Sequence, residues 1–249
     1  MRSEALLMRN ALSFLALLIA ATTSAGAAEN AERAVIGFSP DGRYFAFEQY
    51  GVQDGSGFPF SEIFVVDLPA NQWVKGSPFR EKVEDDGAPV SAARAKSAKA
   101  AEALLAQLKT VEPGEVLASQ KPTQASGDRR RLSFDPFYMS LTSQPANRYT
   151  LKLELVPFAA PESCYAEDGK QMGFRLTITD NDQDKSVEAY KDAAIPASRY
   201  CPRDYDVADV IAYRSHASAG ERHVALIGVY TPGFEGIDRR LIAVPFALP

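Results

Sequence analysis

Residues Val35–Leu68 read VIGFSPDGRYFAFEQYGVQDGSGFPFSEIFVVDL. Val35–Phe38 has the β-branched and aromatic content of a strand. Ser39-Pro40-Asp41-Gly42 follows as a turn: proline presets φ, aspartate bonds back to the backbone, and glycine accepts positive φ. In the next segment Phe45 and Phe47 alternate with Tyr44, Ala46 and Glu48, the period of a strand. Gly51–Phe60 is a glycine-rich loop, and Ile63–Val66 is continuously apolar, as in a strand covered on both faces. The stretch predicts a three-stranded antiparallel meander, with Trp73 and Val74 as a short fourth strand.

A second stretch, Val210–Val244, has nearly the same plan. Val35-Ile36-Gly37-Phe38 matches Val210-Ile211-Ala212-Tyr213, Gly57-Phe58 matches Gly233-Phe234, and Phe64-Val65-Val66 matches Ile242-Ala243-Val244. Repeated meanders bury their faces on one another. The expected fold is therefore mainly β, with antiparallel meanders in a propeller-like or sandwich arrangement. Between the two stretches, Tyr149–Val156 and Phe174–Ile178 alternate cleanly and predict strands with one wet face. Arg131–Phe134, Ser186–Tyr190, Val207–Tyr213, His223–Tyr230 and Arg239–Phe246 complete the predicted strands. One helix interrupts them. Val90–Val111 holds no proline or glycine, and Ala93, Ala101, Leu104, Leu105, Leu108 and Val111 fall near helical spacing. A helix is predicted over residues 91–109, capped by Ser91 and stopped by Pro113-Gly114, within an insertion spanning 88–128. Residues 119–129 read as a mobile connection rich in Ser, Thr, Gln and Pro.

The N-terminus has the features of an export signal. Arg2 and Arg9 precede an apolar run over Ala11–Ala21, and Ala25-Gly26-Ala27 supplies a small-residue cleavage pattern. Met8-Arg9 offers a cleaner start than Met1. Cleavage after Ala27 would leave one mainly-β domain, 28–249, in the periplasm or secreted. The apolar run is shorter than the roughly 20 residues needed to span a bilayer, and no other segment is long enough. Two cysteines remain in the chain, Cys164 and Cys201. In an oxidising compartment they read as a disulfide that stabilises by roughly 4 kcal/mol. Two buried thiols, or a redox couple without its usual close spacing, are the alternatives. Net charge is −5, which argues against a general affinity for nucleic acid or anionic membrane.

Two resemblances bear on these residues. Phe38–Phe47, FSPDGRYFAF, resembles a strand-turn-strand of a TolB or WD40-like propeller blade, a match of about ten residues that occurs once. Taken together, the leader, the 32–68 meander, the helical insertion and the closing TPGFEGIDRRLIAV of Thr231–Val244 are similar to a bacterial family of predicted secreted proteins of unknown function. That resemblance implies export and brings no catalytic residues with it.

The chemistry-bearing residues are few. Only His216 and His223 are present, in no metal-ligand spacing, and His223 opens a buried strand. Nucleophile-elbow, phosphate-loop and dinucleotide motifs are absent. Asp180, Asp182 and Asp184 alternate in a polar turn and offer oxygens to a Ca²⁺ ion, although Lys185 and Lys191 replace the glycine and glutamate of an EF-hand loop. Asp54, Phe58 and Phe60 in one loop, with Tyr230, Phe234 and Glu235 in another, are the candidate ligand-binding group: aromatics and carboxylates on a rigid β-frame suit a glycan or peptide. The alternative is that these rings are loop anchors. Arg94, Lys96, Lys99 and Lys109 make the helix basic, either as a solvated face or for an acidic partner. The expectation is an exported binding or interaction protein of the envelope, without catalysis. The second reading is a glycan or peptide hydrolase working through loop carboxylates such as Asp54 and Glu235.

Overall fold

The computed structural model describes residues 29–121, 127–136, 147–164, 168–215 and 220–249. The predicted signal, His216 and residues 122–126 of the 119–129 connection lie outside them. Among the described residues, thirteen strands form three antiparallel sheets. The first holds β1 (Glu32–Phe38), β2 (Tyr44–Val52), β3 (Pro59–Asp67) and β4 (Gln72–Trp73) in that order, with β5 (Phe79–Lys82) also paired to β3. After the helix α1 (Val90–Leu108) comes β6 (Glu115–Ser119). Strands β7 (Arg131–Phe134), β8 (Tyr149–Ala159), β9 (Lys170–Asp180) and β10 (Lys185–Lys191) form the second sheet. Strands β11 (Asp204–Arg214), β12 (Glu221–Pro232) and β13 (Ile237–Phe246) join β6 in the third, ordered β13-β12-β11-β6.

The third sheet is central. One face, through Ala208, Ile211, Tyr213, Val224, Leu226 and Leu241, packs on Phe38, Phe45, Phe47, Phe60 and Phe64 of the first sheet. The other, through Tyr205, Val207, Val210, Ala225, Ile227, Val229 and Val244, packs on Leu151, Leu153, Phe174, Leu176 and Ile178 of the second. Burial on both faces accounts for the near-continuous apolar run of β11 and β12, whereas β8 and β9 alternate because their far face is wet. The two matched meanders lie face to face, and Phe38 stacks on Tyr213 with ring centroids 5.0 Å apart. The sheets form an open stack and do not close into a barrel.

The helix covers the far face of the first sheet. Its buried residues are Ala93, Ser97 and Ala101, one small side chain per turn, so the backbone approaches β3 closely. Ser97 Oγ lies 2.6 Å from Ser61 Oγ, and Arg94 donates to both oxygens of Glu48 at 2.9 and 2.8 Å. These contacts correct three sequence expectations. Leu104, Leu105 and Leu108 are only half-buried and Val111 is 71 % exposed, because serine and alanine, not leucine, make the contact. Pro89 takes the N-cap position without a side-chain cap, so Ser91 lies inside the first turn. Lys109, in the left-handed conformation at φ 53°, ends the helix before Pro113-Gly114 is reached. Strands β5 and β6 were not legible, being short, and β6 makes the stretch after the helix part of the central sheet. The disulfide joins Cys164 to Cys201 with Cα atoms 5.5 Å apart.

Between the central and first sheets sits a buried ion pair. Arg239 is 0 % exposed, and its Nε and Nη2 donate to Asp206 at 3.1 and 2.8 Å. Gly228, on the strand between them, donates its amide to Asp206 Oδ1 at 3.1 Å, and the Tyr230 hydroxyl donates to Oδ2 at 2.7 Å. A Cβ on Gly228 would lie 2.1 Å from Asp206 Oδ1 and 2.5 Å from Arg239 Nε. Gly228→Ala is therefore expected to split the pair and lower unfolding free energy by about 3–5 kcal/mol in a denaturant titration, the range for breaking a buried pair. A loss below about 1 kcal/mol would show that the pair does not depend on the missing side chain.

Candidate functional site

Strand β13 is an edge of the central sheet. Its register with β12 is continuous, so the amides of alternate residues point away from the sheet. At the N-terminal end the outward groups are taken: Arg239 donates to the Glu29 carbonyl at 2.7 Å, and Ala31 donates to the Arg239 carbonyl at 3.1 Å, a parallel bridge. The Leu241 amide donates to Gln49 Oε1 at 2.7 Å. Pro245 has no amide to offer. These are the usual guards of an exposed edge.

Alongside this edge run two adjoining hollows of about 450 and 580 Å³, which share Trp73, Ser198, Arg199 and Ile242. One wall comes from the first sheet. Glu62 accepts from Gln49 at 2.6 Å and from Arg80 at 2.9 Å, and the Arg80 guanidinium lies 5.8 Å from the Phe64 ring and 5.5 Å from Trp73. Trp73 is 39 % exposed. The opposite wall is the Ala197–Tyr200 turn that follows β10. It is anchored by Asp192, which accepts from Arg199 at 2.8 Å, from the Tyr190 hydroxyl at 2.6 Å and from the Phe174 amide at 2.8 Å. Burial and the Asp192 carboxylate push the Tyr190 hydroxyl above its ordinary value.

Tyr200 ends this turn. It is 81 % exposed and sits at φ 53°, ψ −123°, a conformation that favours glycine. A side chain held there costs on the order of 1–3 kcal/mol and persists only where its surroundings over-determine it. Here they do: Arg199 before it is buried against Asp192, and Cys201 after it is tied to Cys164.

The sequence-predicted loop residues gather at the end of the groove only in part. Asp54 Oδ2 accepts the Glu235 amide at 2.7 Å, and Phe234, 80 % exposed, lies over Gly55, so the two loops do meet. Their hollow of about 510 Å³ is lined by Glu29, Asp54, Phe234, Asp238 and Arg240 among others, and Arg240 also lines the long groove. Phe60 is a buried anchor beneath the Arg240 guanidinium, 3.7 Å from its ring centre. Phe58 is half-buried under Lys82. Tyr230 belongs to the Asp206–Arg239 cluster, where burial and Asp206 push its hydroxyl up to about 12. Elsewhere, Asp180 accepts from Asp182 and Gln183 amides at 3.0 and 3.2 Å and from Arg148 at 3.1 Å, closing the β9–β10 turn. Among the described residues no three His, Cys, Asp or Glu side chains gather in the way a metal site needs. Trp73, Arg80, Arg199 and Tyr200 were missed by sequence reading. The one available signal was a large aromatic directly preceding a cysteine.

These features define a mainly-β protein of stacked antiparallel meanders with a polar and aromatic groove along a strand edge. Residues 46–246 match the family described as predicted secreted protein (DUF2259), and the chain belongs to it. Neither a curated protein nor a solved structure matches. The likeness of Phe38–Phe47 to a propeller blade has no counterpart in these comparisons. No described helix is long and apolar enough to cross a membrane.

Two buried groups titrate in opposite senses. Burial pushes the Glu29 carboxyl up to about 7, against the pull of Arg240. Burial brings His223 down to about 4. Glu29 thus contributes stability that is present below its unfolded value of 4.5 and is lost as pH rises through 7. His223 contributes stability that is present above 6.5 and is lost as pH falls through 4. At ~1.4 kcal/mol per pH unit each is worth about 3 kcal/mol. Chemical denaturation of Glu29→Gln is expected to show stability rising between pH 4.5 and 6.5, and His223→Phe stability falling. Slopes of the same sign would contradict the assignment.

Proposed function

We propose that this exported protein is a non-catalytic binding module that holds an extended glycan or peptide of the cell envelope in the groove along β13. The observation that carries the reading is the pair of exposed rings on the two walls, Trp73 and Tyr200, the second held in a costly conformation. Strain of this kind is kept where a side chain must be presented. Exposed aromatics beside Arg80, Glu62 and Ser198 give apolar contact with a few orienting polar groups, the usual make-up of a ligand site. The commitment of Asp54 to the Glu235 amide fits a loop clasp better than a general acid or base.

Trp73 is the chain's single tryptophan, so its emission reports on the groove directly. Titration of the purified protein with envelope glycan and envelope peptide fractions is expected to give a saturable change in Trp73 emission with one of them. The ligand is expected to be recovered unaltered. No change with either fraction would overturn the reading, and release of shortened fragments would favour hydrolysis by the loop carboxylates.

A further inference from the structure

Each charge on the groove's walls is already answered within the chain. Arg80 pairs with Glu62, Arg199 with Asp192 and Arg240 with Glu29. A charged ligand would have to compete with these partners, so the groove suits an uncharged one. The edge beneath is also closed to an added peptide strand. Asn30 bridges Arg239, Gln49 takes the Leu241 amide and Pro245 has no amide, which leaves the outward amide of Ala243 alone. Strand addition needs a run of free amides and carbonyls. What the groove leaves unengaged is neutral. Asn71, Gln72 and Ser198 line the first hollow, are exposed, and their side chains make no hydrogen bond among the described residues. A carboxamide offers donors and an acceptor side by side, and a hydroxyl is both at once, so these groups match the neighbouring hydroxyls of a sugar.

We propose that the occupant is an uncharged, linear, equatorially linked glycan, its sugar faces packed on Trp73 and Tyr200 and its hydroxyls bonded by Asn71, Gln72 and Ser198. This rests on the binding reading above and names the ligand class for the same groove. An equatorially linked chain is a flat ribbon, with C–H groups on its two faces and hydroxyls along its margins. The groove presents the same division: an exposed ring on each wall for the faces, and amide and hydroxyl side chains for the margins. Tyr200, held by a buried arginine and a disulfide, loses little freedom when a ligand packs on it, and that pre-organisation favours binding.

The probes are two uncharged hexamers, cellohexaose and linear N-acetylglucosamine hexamer, each titrated against Trp73 emission. The comparisons are a glucosamine hexamer with its amines protonated, a glucuronate hexamer of the same linkage, and the uncharged peptide acetyl-(Val-Thr)4-amide. At least one uncharged hexamer is expected to give a saturable change, with both charged hexamers at least tenfold weaker and the peptide silent. Tyr200→Gly keeps the fold, since glycine adopts φ 53° freely, and should melt no lower than the parent while losing about tenfold or more in affinity for that hexamer. Gln72→Ala, on the exposed strand β4, should also melt with the parent and lose about threefold to tenfold, the equivalent of one net hydrogen bond. Binding of the peptide in place of the hexamers would overturn the glycan assignment and leave the binding module standing. A charged hexamer that binds as tightly as the uncharged ones would overturn selection for a neutral chain. Full affinity in Tyr200→Gly would overturn the packing of sugar on the ring. Silence from all the probes would count against the glycan and the groove together.

Discussion

An arginine without solvent exposure must be matched where it lies. Arg239 is matched by Asp206, two strands away, across a glycine that leaves the path clear. Moving the two charges out of water costs several kcal/mol per ion, which their attraction offsets only if the remaining polar groups are answered as well. Asp206 is answered in full by two arginine nitrogens, the Gly228 amide and the Tyr230 hydroxyl, while Arg239 Nη1 is buried with no hydrogen-bond partner among the described residues. The pair fixes the spacing of β11, β12 and β13 at the end where the first sheet joins the stack. The backbone of Arg239 also bonds Glu29 and Ala31, so the same residue fastens the start of the chain to the β13 edge.

The groove follows from that arrangement. A central sheet buried on both faces ends in a strand whose outer edge is flanked by the neighbouring sheets. The fold guards this edge with Pro245, Gln49 and the Arg239 bridge, yet lines the remaining length with aromatic rings and guanidinium groups. Tyr200 shows how rigid the presentation is, since a buried arginine on one side and a disulfide on the other hold it where an unconstrained tyrosine would relax. The basic helix contributes mainly to the fold: Arg94 is engaged by Glu48 and lies over Tyr50, and Lys99 pairs with Glu102.

Much of the architecture could be read from the chain because burial writes its own pattern. The alternation of Tyr149–Val156 and Phe174–Ile178 marked strands with one wet face, and the unbroken apolar run Ile63–Val66 in β3 marked a strand covered twice. The disulfide was legible from an even cysteine count in an exported chain. Strand β5, Phe-Arg-Glu-Lys, was not legible, because four residues with three charges carry no burial signal. The helix face was read in part: Ala93 and Ala101 lie on it, but close packing added Ser97 and left out the larger leucines. The groove was hidden for a different reason. Trp73, Arg80, Arg199 and Tyr200 come from distant parts of the sequence and are neighbours only through the stacking of sheets, whereas the loop residues first singled out announced themselves by composition, and only some of them line the hollow at the groove's end.

The stack of sheets depends most on the buried pair, and a double-mutant cycle measures the pair directly. Unfolding free energies of Asp206→Leu, Arg239→Met and the combined variant are to be compared with the parent by urea titration at neutral pH. Each single change is expected to cost about 3–5 kcal/mol by stranding the opposite charge, and the combined variant much less than their sum, a coupling of at least about 2 kcal/mol. Additive losses would contradict the claim that these two residues hold the stack together as a pair.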